Sequence, residues 1–236
     1  MKPGLLIPIF NHRDTIPDVV AGLAYLGLPC LIVDDGSDAA TRATLRRLPP
    51  LFPWIELSHL PKNRGRGVAL RHGYRVASER GWSHVVQIDA DRQHDPVDIP
   101  AFLAAAERAP SAAIIGEPRF DGSAPKARLY GRRLSQFIVW GFTRSRDIRD
   151  PLCGFRCFPL DPVIRLLQSR RFGNRMEFDV EILVHLAWAG VPIVNIETHV
   201  RYFPGGISHF RMVRDNILIV TAYAKLFLRF LAHLRA

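Results

Sequence analysis

From Leu5 to Gly116 the chain alternates short apolar runs with segments of helical length, and this alternation constrains the fold more than any single residue does. Residues 5–10, 28–33, 54–57, 83–88 and 112–116 read as strands, being short, rich in β-branched side chains and bounded by Gly, Pro, Asn or Asp. Helices are expected over residues 14–25, 39–48 (with Pro49-Pro50 as the stop), 68–79 and 96–108. Strands and helices in this order build a parallel sheet through right-handed crossovers. The expected class is therefore α/β, a Rossmann-like, doubly wound and mostly parallel sheet. In such sheets ligands bind beyond the carboxyl ends of the strands. Asn11, Asp34-Asp35 and Asp89-Asp91 all fall at such ends.

The stretch Ser-His-Val-Val-Gln-Ile-Asp-Ala-Asp-Arg-Gln-His-Asp-Pro, residues 83–96, carries the strongest chemical signal. If extended geometry persists to Asp91, the Asp89 and Asp91 carboxylates point the same way. Two carboxylates that close repel unless a cation lies between them, and oxygen ligands suit Mg²⁺ or Mn²⁺. Gln93 adds a carbonyl oxygen one step along. The same residues also make an ordinary turn, with Asp95 as an N-cap, so this stretch alone does not decide.

Beyond Gly116 the pattern changes. Residues 119–126 read as a basic, turn-rich loop, 129–142 as an amphipathic helix bearing Arg132 and Arg133, and 150–156 as a loop entering a short strand. Helices over 161–169 and 177–189 lead to a strand at 193–198. Residues 1–209 read as one domain and 210–236 as a C-terminal amphipathic helix. Apolar residues cover too much of that helix for a simple surface element. It packs on the domain or on a second copy, making a homo-oligomer one outcome, or it lies in a membrane interface with its basic residues at the headgroups.

The 236 residues carry a net charge of +10, from 32 Lys and Arg against 22 Asp and Glu. That balance asks for an anionic partner: a phosphorylated substrate, an acidic membrane surface or nucleic acid. No nucleic-acid module is recognisable, and the arginines scatter, so nucleic acid is excluded. Three cysteines, Cys30, Cys153 and Cys157, form no framework and read as buried fillers in a reducing, cytoplasmic setting. No signal-peptide core and no uninterrupted spanning segment is present.

Five motifs in order, Pro8-Ile9-Phe10-Asn11, Val33-Asp34-Asp35-Gly36-Ser37, Asn63-Arg64-Gly65-Arg66-Gly67, Asp89-Ala90-Asp91-Arg92-Gln93-His94 and Gly154-Phe155-Arg156, resemble the family 2 glycosyltransferases of GT-A fold. The likeness is to the dolichyl- or polyprenyl-phosphate mannose and glucose synthase branch, and it extends from Leu5 to Arg211. The resemblance implies roles position by position. Pro8, Phe10, Asn11, Asp34 and Asp35 would surround the nucleoside of a sugar nucleotide. Gly65 and Gly67 would let the backbone approach the donor. Asp89, Asp91 and Gln93 would hold Mg²⁺ or Mn²⁺ on the donor diphosphate.

Arg119, Arg132 or Arg133, and Arg201 match phosphate-binding arginines of that branch. Asp150 stands where relatives place an acceptor-side carboxylate, a base for a hydroxyl acceptor or an orienting group for a phosphate. Two departures stand out: Arg92, where a small or apolar residue is usual, and His209, where Lys is usual. The implied activity is inverting transfer of a sugar from a UDP- or GDP-linked donor to polyprenyl phosphate at the cytoplasmic membrane surface. A hydroxylated lipid or pigment precursor is the second acceptor. A nucleotide-sugar-binding protein without turnover is the alternative that Arg92 and His209 would favour.

Overall fold

The computed structural model describes residues 1–120, 126–201 and 212–233. In chain order the elements are β1 (Pro3–Ile9), α1 (Ile16–Leu23), β2 (Cys30–Asp34), α2 (Ala39–Arg46), α3 (Leu48–Leu51), β3 (Ile55–His59), α4 (Arg66–Glu79) and β4 (His84–Gln87). They continue with α5 (Ile99–Arg108), β5 (Ala113–Phe120), α6 (Lys126–Thr143), β6 (Arg156–Pro159), α7 (Leu160–Ser169), α8 (Glu177–Trp188), β7 (Ile193–Val200) and α9 (Met212–His233).

The strands form one seven-stranded sheet in the order β3-β2-β1-β4-β6-β5-β7. All pairings are parallel except those of β6, which runs antiparallel to both β4 and β5. The α/β, mostly parallel expectation holds. β2 and β4 are buried along their whole length, as strands covered by helices on both faces must be. Alternate residues of one strand then feed opposite cores. Leu6, Leu31, Val33 and Val85 pack with Leu70, Tyr74, Leu183 and Leu226 from α4, α8 and α9. Leu5, Ile7, Ile32 and Val86 pack with Val20, Leu45 and Phe102 from α1, α2 and α5.

Strand order reverses direction at β1, whose neighbours are β2 and β4. The crevice outside the carboxyl ends of β1, β2 and β4 is the topological switch point, the place where such sheets bind ligands.

Two sequence expectations are corrected. Pro49 and Pro50 do not stop helical structure; they occupy the first turn of α3, where the missing N–H costs nothing. Nor does extended geometry persist to Asp91. β4 ends at Gln87, Ala90-Asp91 form a turn and Arg92 takes φ 64°.

The second half of the chain is tied to the first by a buried arginine. Arg156, at the start of β6, is fully buried beside Gln87 of β4. Its guanidinium donates to the carbonyls of Cys153 (2.7 Å), Asp179 (2.8 Å) and Pro151 (2.9 Å), and lies 3.4 Å from Asp179 Oδ1. Removing it strands three buried carbonyls and takes one of two arginines from Asp179, so Arg156→Met is expected to cost about 3–5 kcal/mol in urea unfolding; a loss below about 1 kcal/mol would show that these bonds do not hold the 150–155 loop.

Candidate active site

At the end of β1, Asn11 sits in the left-handed region (φ 53°), which Asn tolerates better than most residues. Its N–H donates to Ser37 Oγ (2.9 Å) and its Oδ1 accepts the Asp38 N–H (2.8 Å), stitching β1 to the turn after β2. Pro8 is buried within β1 and Phe10 is half-buried at its end. Asp34 is buried; Oδ1 accepts the Ser37 N–H (2.9 Å) and Oδ2 lies 3.0 Å from His59 Nδ1.

Asp35 uses both oxygens on the following glycine loop, accepting the Arg64 N–H (2.8 Å) and the Gly65 N–H (2.7 Å). Burial pushes its carboxyl up, and the two backbone hydrogen bonds oppose that shift. Both aspartates therefore shape the rim of the crevice through the backbone. The glycines are needed here: Gly65 has φ 105°, and a Cβ on Gly67 would lie 2.7 Å from Phe178 Cβ and 2.8 Å from the Gly173 carbonyl.

Arg66 opens α4 between those glycines and reaches across the crevice. Nη1 pairs with Asp89 Oδ1, Nε donates to Asp179 Oδ2 (2.9 Å), and Nη2 is buried without a hydrogen-bond partner among the described residues. Burial alone would lower the guanidinium pKa; Asp179 and Asp89 more than reverse this. Gly154 permits the arrangement, since a Cβ there would lie 2.5 Å from Asp89 Oδ2 and 2.8 Å from Arg66 Nη2.

The two carboxylates of the Asp-Ala-Asp turn are held differently. Burial raises the Asp89 pKa but Arg66 outweighs it, so the net shift is downward. Asp91, half-buried by accessible surface, is pushed up to about 6 by desolvation and then by the Asp89 charge it faces, with the Gln93 N–H (3.0 Å) opposing. A carboxylate kept ionised beside one that resists ionisation is the electrostatic signature of a site that gains from a cation. The turn itself is pinned by Thr15 Oγ1, which donates to the Ala90 carbonyl (2.5 Å), and by the Arg92–Asp18 ion pair (2.7 Å). Arg92 therefore has a carboxylate partner on α1.

His94 is buried against Phe155, ring centroids 5.2 Å apart, and desolvation brings it down to about 4. It is neutral and structural at pH 7. No cluster of three or more His, Cys, Asp or Glu able to hold a metal occurs among the described residues. A cation here would have the two carboxylates and the Gln93 side-chain oxygen from the chain, with further oxygens from a bound diphosphate and water.

The outer residues divide. Asp150 is buried, both oxygens accept from Arg132 Nη1 (2.8 and 2.7 Å), and Oδ1 also accepts the Leu152 N–H (2.8 Å). Arg133 and Arg201 are exposed, and the Arg201 N–H donates to the Gln93 carbonyl (3.1 Å). Arg119 is exposed and pairs with Glu197 on β7, leaving it in a surface ion pair. The 206–211 segment, including His209, lies outside the described residues.

Sequence reasoning did not assign Arg66 and Asp179 roles. Arg66 stood inside a quoted motif, but its partners are 23 and 113 residues away. The three cysteines are buried as expected, with thiol pKa values raised by desolvation.

The family model for glycosyl transferase family 2 matches residues 5–160, and the chain belongs to that family. It is similar to a dolichol-phosphate mannosyltransferase of Pyrococcus furiosus, 28% identical over 66% of this chain and 45% of the relative. An undecaprenyl-phosphate mannosyltransferase of Micrococcus luteus is 25% identical over 83% of this chain and 82% of the relative. Among solved structures, glucosyl-3-phosphoglycerate synthase of Mycobacterium tuberculosis, in complex with Mn²⁺, UDP and phosphoglyceric acid, superposes with TM-score 0.72. It is 16% identical over 97% of this chain and 78% of that one. The fold is thus of the GT-A kind.

The Asp91 shift has a testable sign. Its folded pKa lies above the ordinary carboxylate value, so the native state binds the extra proton and loses stability as pH rises from about 4 to about 6. Relative to wild type, Asp91→Asn is expected to gain on the order of 1–3 kcal/mol across that window. Parallel stability–pH curves for the two proteins would contradict the assignment.

Proposed function

We propose that the chain is an inverting, divalent-metal-dependent hexosyltransferase that moves a sugar from a UDP- or GDP-linked donor to a lipid phosphate, polyprenyl phosphate foremost. The observation that carries this reading is the meeting, at one switch point, of the Asp89/Asp91 pair, the Arg66 guanidinium bound to Asp89 and the glycine loop pinned by Asp35. Residues 1–209 form the catalytic unit and 210–236 the surface-binding helix in this reading. The names of the relatives favour the acceptor, and Mn²⁺ with a nucleotide in the solved neighbour favours the donor and metal.

The nucleoside lies against Pro8, Phe10, Asn11 and the Asp34-Asp35 turn. The diphosphate passes over Gly65 and Gly67, where backbone can approach closely. Asp89, Asp91 and Gln93 would hold Mg²⁺ or Mn²⁺, which as a Lewis acid neutralises charge on the leaving diphosphate. An acceptor oxygen attacks the anomeric carbon on the face opposite the diphosphate. The new C–O bond forms as the old one breaks with its electron pair, and the configuration inverts.

A phosphate acceptor is already anionic and needs no strong base. Asp150, bound to Arg132, then holds that arginine in place, and Arg133, Arg201 and Arg119 supply further positive charge on the acceptor side. The work would be done at the cytoplasmic face of a membrane. No helix among the described residues is long and apolar enough to cross one.

Transfer is to be measured across UDP- and GDP-sugars, with Mn²⁺ or EDTA, with and without polyprenyl phosphate. The expected result is EDTA-sensitive transfer to the lipid, reduced at least about a hundredfold in Asp91→Asn without unfolding. Nucleotide binding with no transfer to any acceptor would replace this reading by a non-catalytic one.

A further inference from the structure

Behind the glycine loop, on the side facing α8 and α9, lies a second cleft of about 630 Å³. Six cationic side chains line it: Arg64, Arg171, Arg175, Arg214, Lys225 and Arg229. Both carboxylates of its lining hold backbone N–H groups of the wall, and Glu177 Oε2 is buried without a hydrogen-bond partner among the described residues. Glu177 Oε1 accepts the Asn174 (2.9 Å) and Arg175 (3.2 Å) N–H groups, and Glu181 Oε2 accepts the Gly173 N–H (2.6 Å). The wall is also held from below by Arg71, which donates to the Phe172 carbonyl (3.2 Å) and Asn174 Oδ1 (2.7 Å).

One cation is fixed in place: Arg229 Nη1 lies 2.8 Å from His185 Nε2. Burial, then Arg229 and Arg170, hold His185 down to about 4, so its ring is neutral and accepts that bond. A concave, rigid wall with a large excess of positive charge is built for a phosphoryl group.

The helix beside the cleft says which kind. At about 100° per residue, α9 carries three lengthwise strips. Asp215, Ile219, Ala222 and Leu226 are buried on the domain. Arg214, Leu218, Lys225 and Arg229 face the cleft. Ile217, Val220, Phe227, Leu228 and Leu231 make a third strip, between 39% and 67% exposed. α6, which packs beside α9 where Phe142 meets Tyr223 and Phe230, exposes Tyr130, Leu134 and Phe137 at i, i+4, i+7 spacing. Apolar strips flanked by a basic one describe helices lying in a bilayer interface.

We propose that this cleft binds the phosphate headgroup of an anionic lipid, with the apolar strip of α9 seated in the surrounding acyl boundary. The proposal rests on the reading that the chain works at a membrane surface, and adds the place and chemistry of the contact. It adjoins the donor crevice across the glycine loop, with Arg175 within electrostatic reach of Asp35.

The test is flotation of the full chain with vesicles of phosphatidylcholine alone or mixed equally with phosphatidylglycerol. Wild type is expected to prefer the mixed vesicles. The pair Arg171→Glu and Lys225→Glu should lose about tenfold or more in that binding, and the milder Arg171→Gln and Lys225→Gln should lose less. The pair Arg46→Glu and Arg108→Glu, two exposed residues far from the cleft, makes the same charge change and should lose much less. Equal losses in the two Glu pairs would reduce the effect to net charge and overturn the proposal. Equal binding of wild type to both vesicle types overturns the headgroup site but leaves the membrane reading standing; binding to neither overturns both. Full competition by millimolar inorganic phosphate would make the cleft a site for soluble anions, which also overturns it.

Discussion

The chain Asp89–Arg66–Asp179–Arg156 runs from the end of β4, through the first residue of α4, to α8 and β6. Beside it the Gln87 amide of β4 donates to the Gly154 carbonyl (2.6 Å), joining the same two parts of the sheet. Two cations and two carboxylates out of water survive only when each satisfies the others. Arg156 spends its donors on carbonyls that shape the 150–155 loop. Arg66 divides its donors between two carboxylates, while Nη2 stays buried beside Gly154 without a hydrogen-bond partner among the described residues. Asp89 is thereby held ionised, and the cost of that charge appears on Asp91. The site's electrostatics and the fold's cohesion thus come from the same bonds.

The loops follow from this frame. Asp35 fixes the Arg64–Gly65 backbone, and so decides where Arg66 starts. Gly67 and Gly154 are small because Phe178, Gly173, Asp89 and Arg66 leave no room for a side chain. Two surfaces of one rigid loop region then face different surroundings. One closes the switch-point crevice, and the other forms part of the basic cleft beside α9.

Much of this was legible in the sequence, and what was not has a common cause. Strand runs such as Val85-Val86 and the carboxyl-end positions of Asn11, Asp34 and Asp89 are local patterns, and local patterns survive in a linear reading. The β6 insertion and the Arg66–Asp179 pair are contacts between distant segments, and nothing near either residue in sequence announces them. The sequence leaves open whether Ala90-Asp91 is extended or a turn, because the β-branched residues before it say nothing about where the strand stops. The bonds of Asp35 to the Arg64 and Gly65 N–H groups, some 30 residues on, are likewise invisible in its own motif.

The central claim is that Asp89 and Asp91, set by Arg66, form a cation site completed by a nucleoside diphosphate. Electron paramagnetic resonance of Mn²⁺ titrated with the chain, with and without UDP or GDP, tests it directly. The account predicts that one equivalent of Mn²⁺ leaves the free pool when a nucleoside diphosphate is present, and that Asp91→Asn abolishes this. Mn²⁺ that stays free in wild type, or that Asp91→Asn binds equally well, would contradict it.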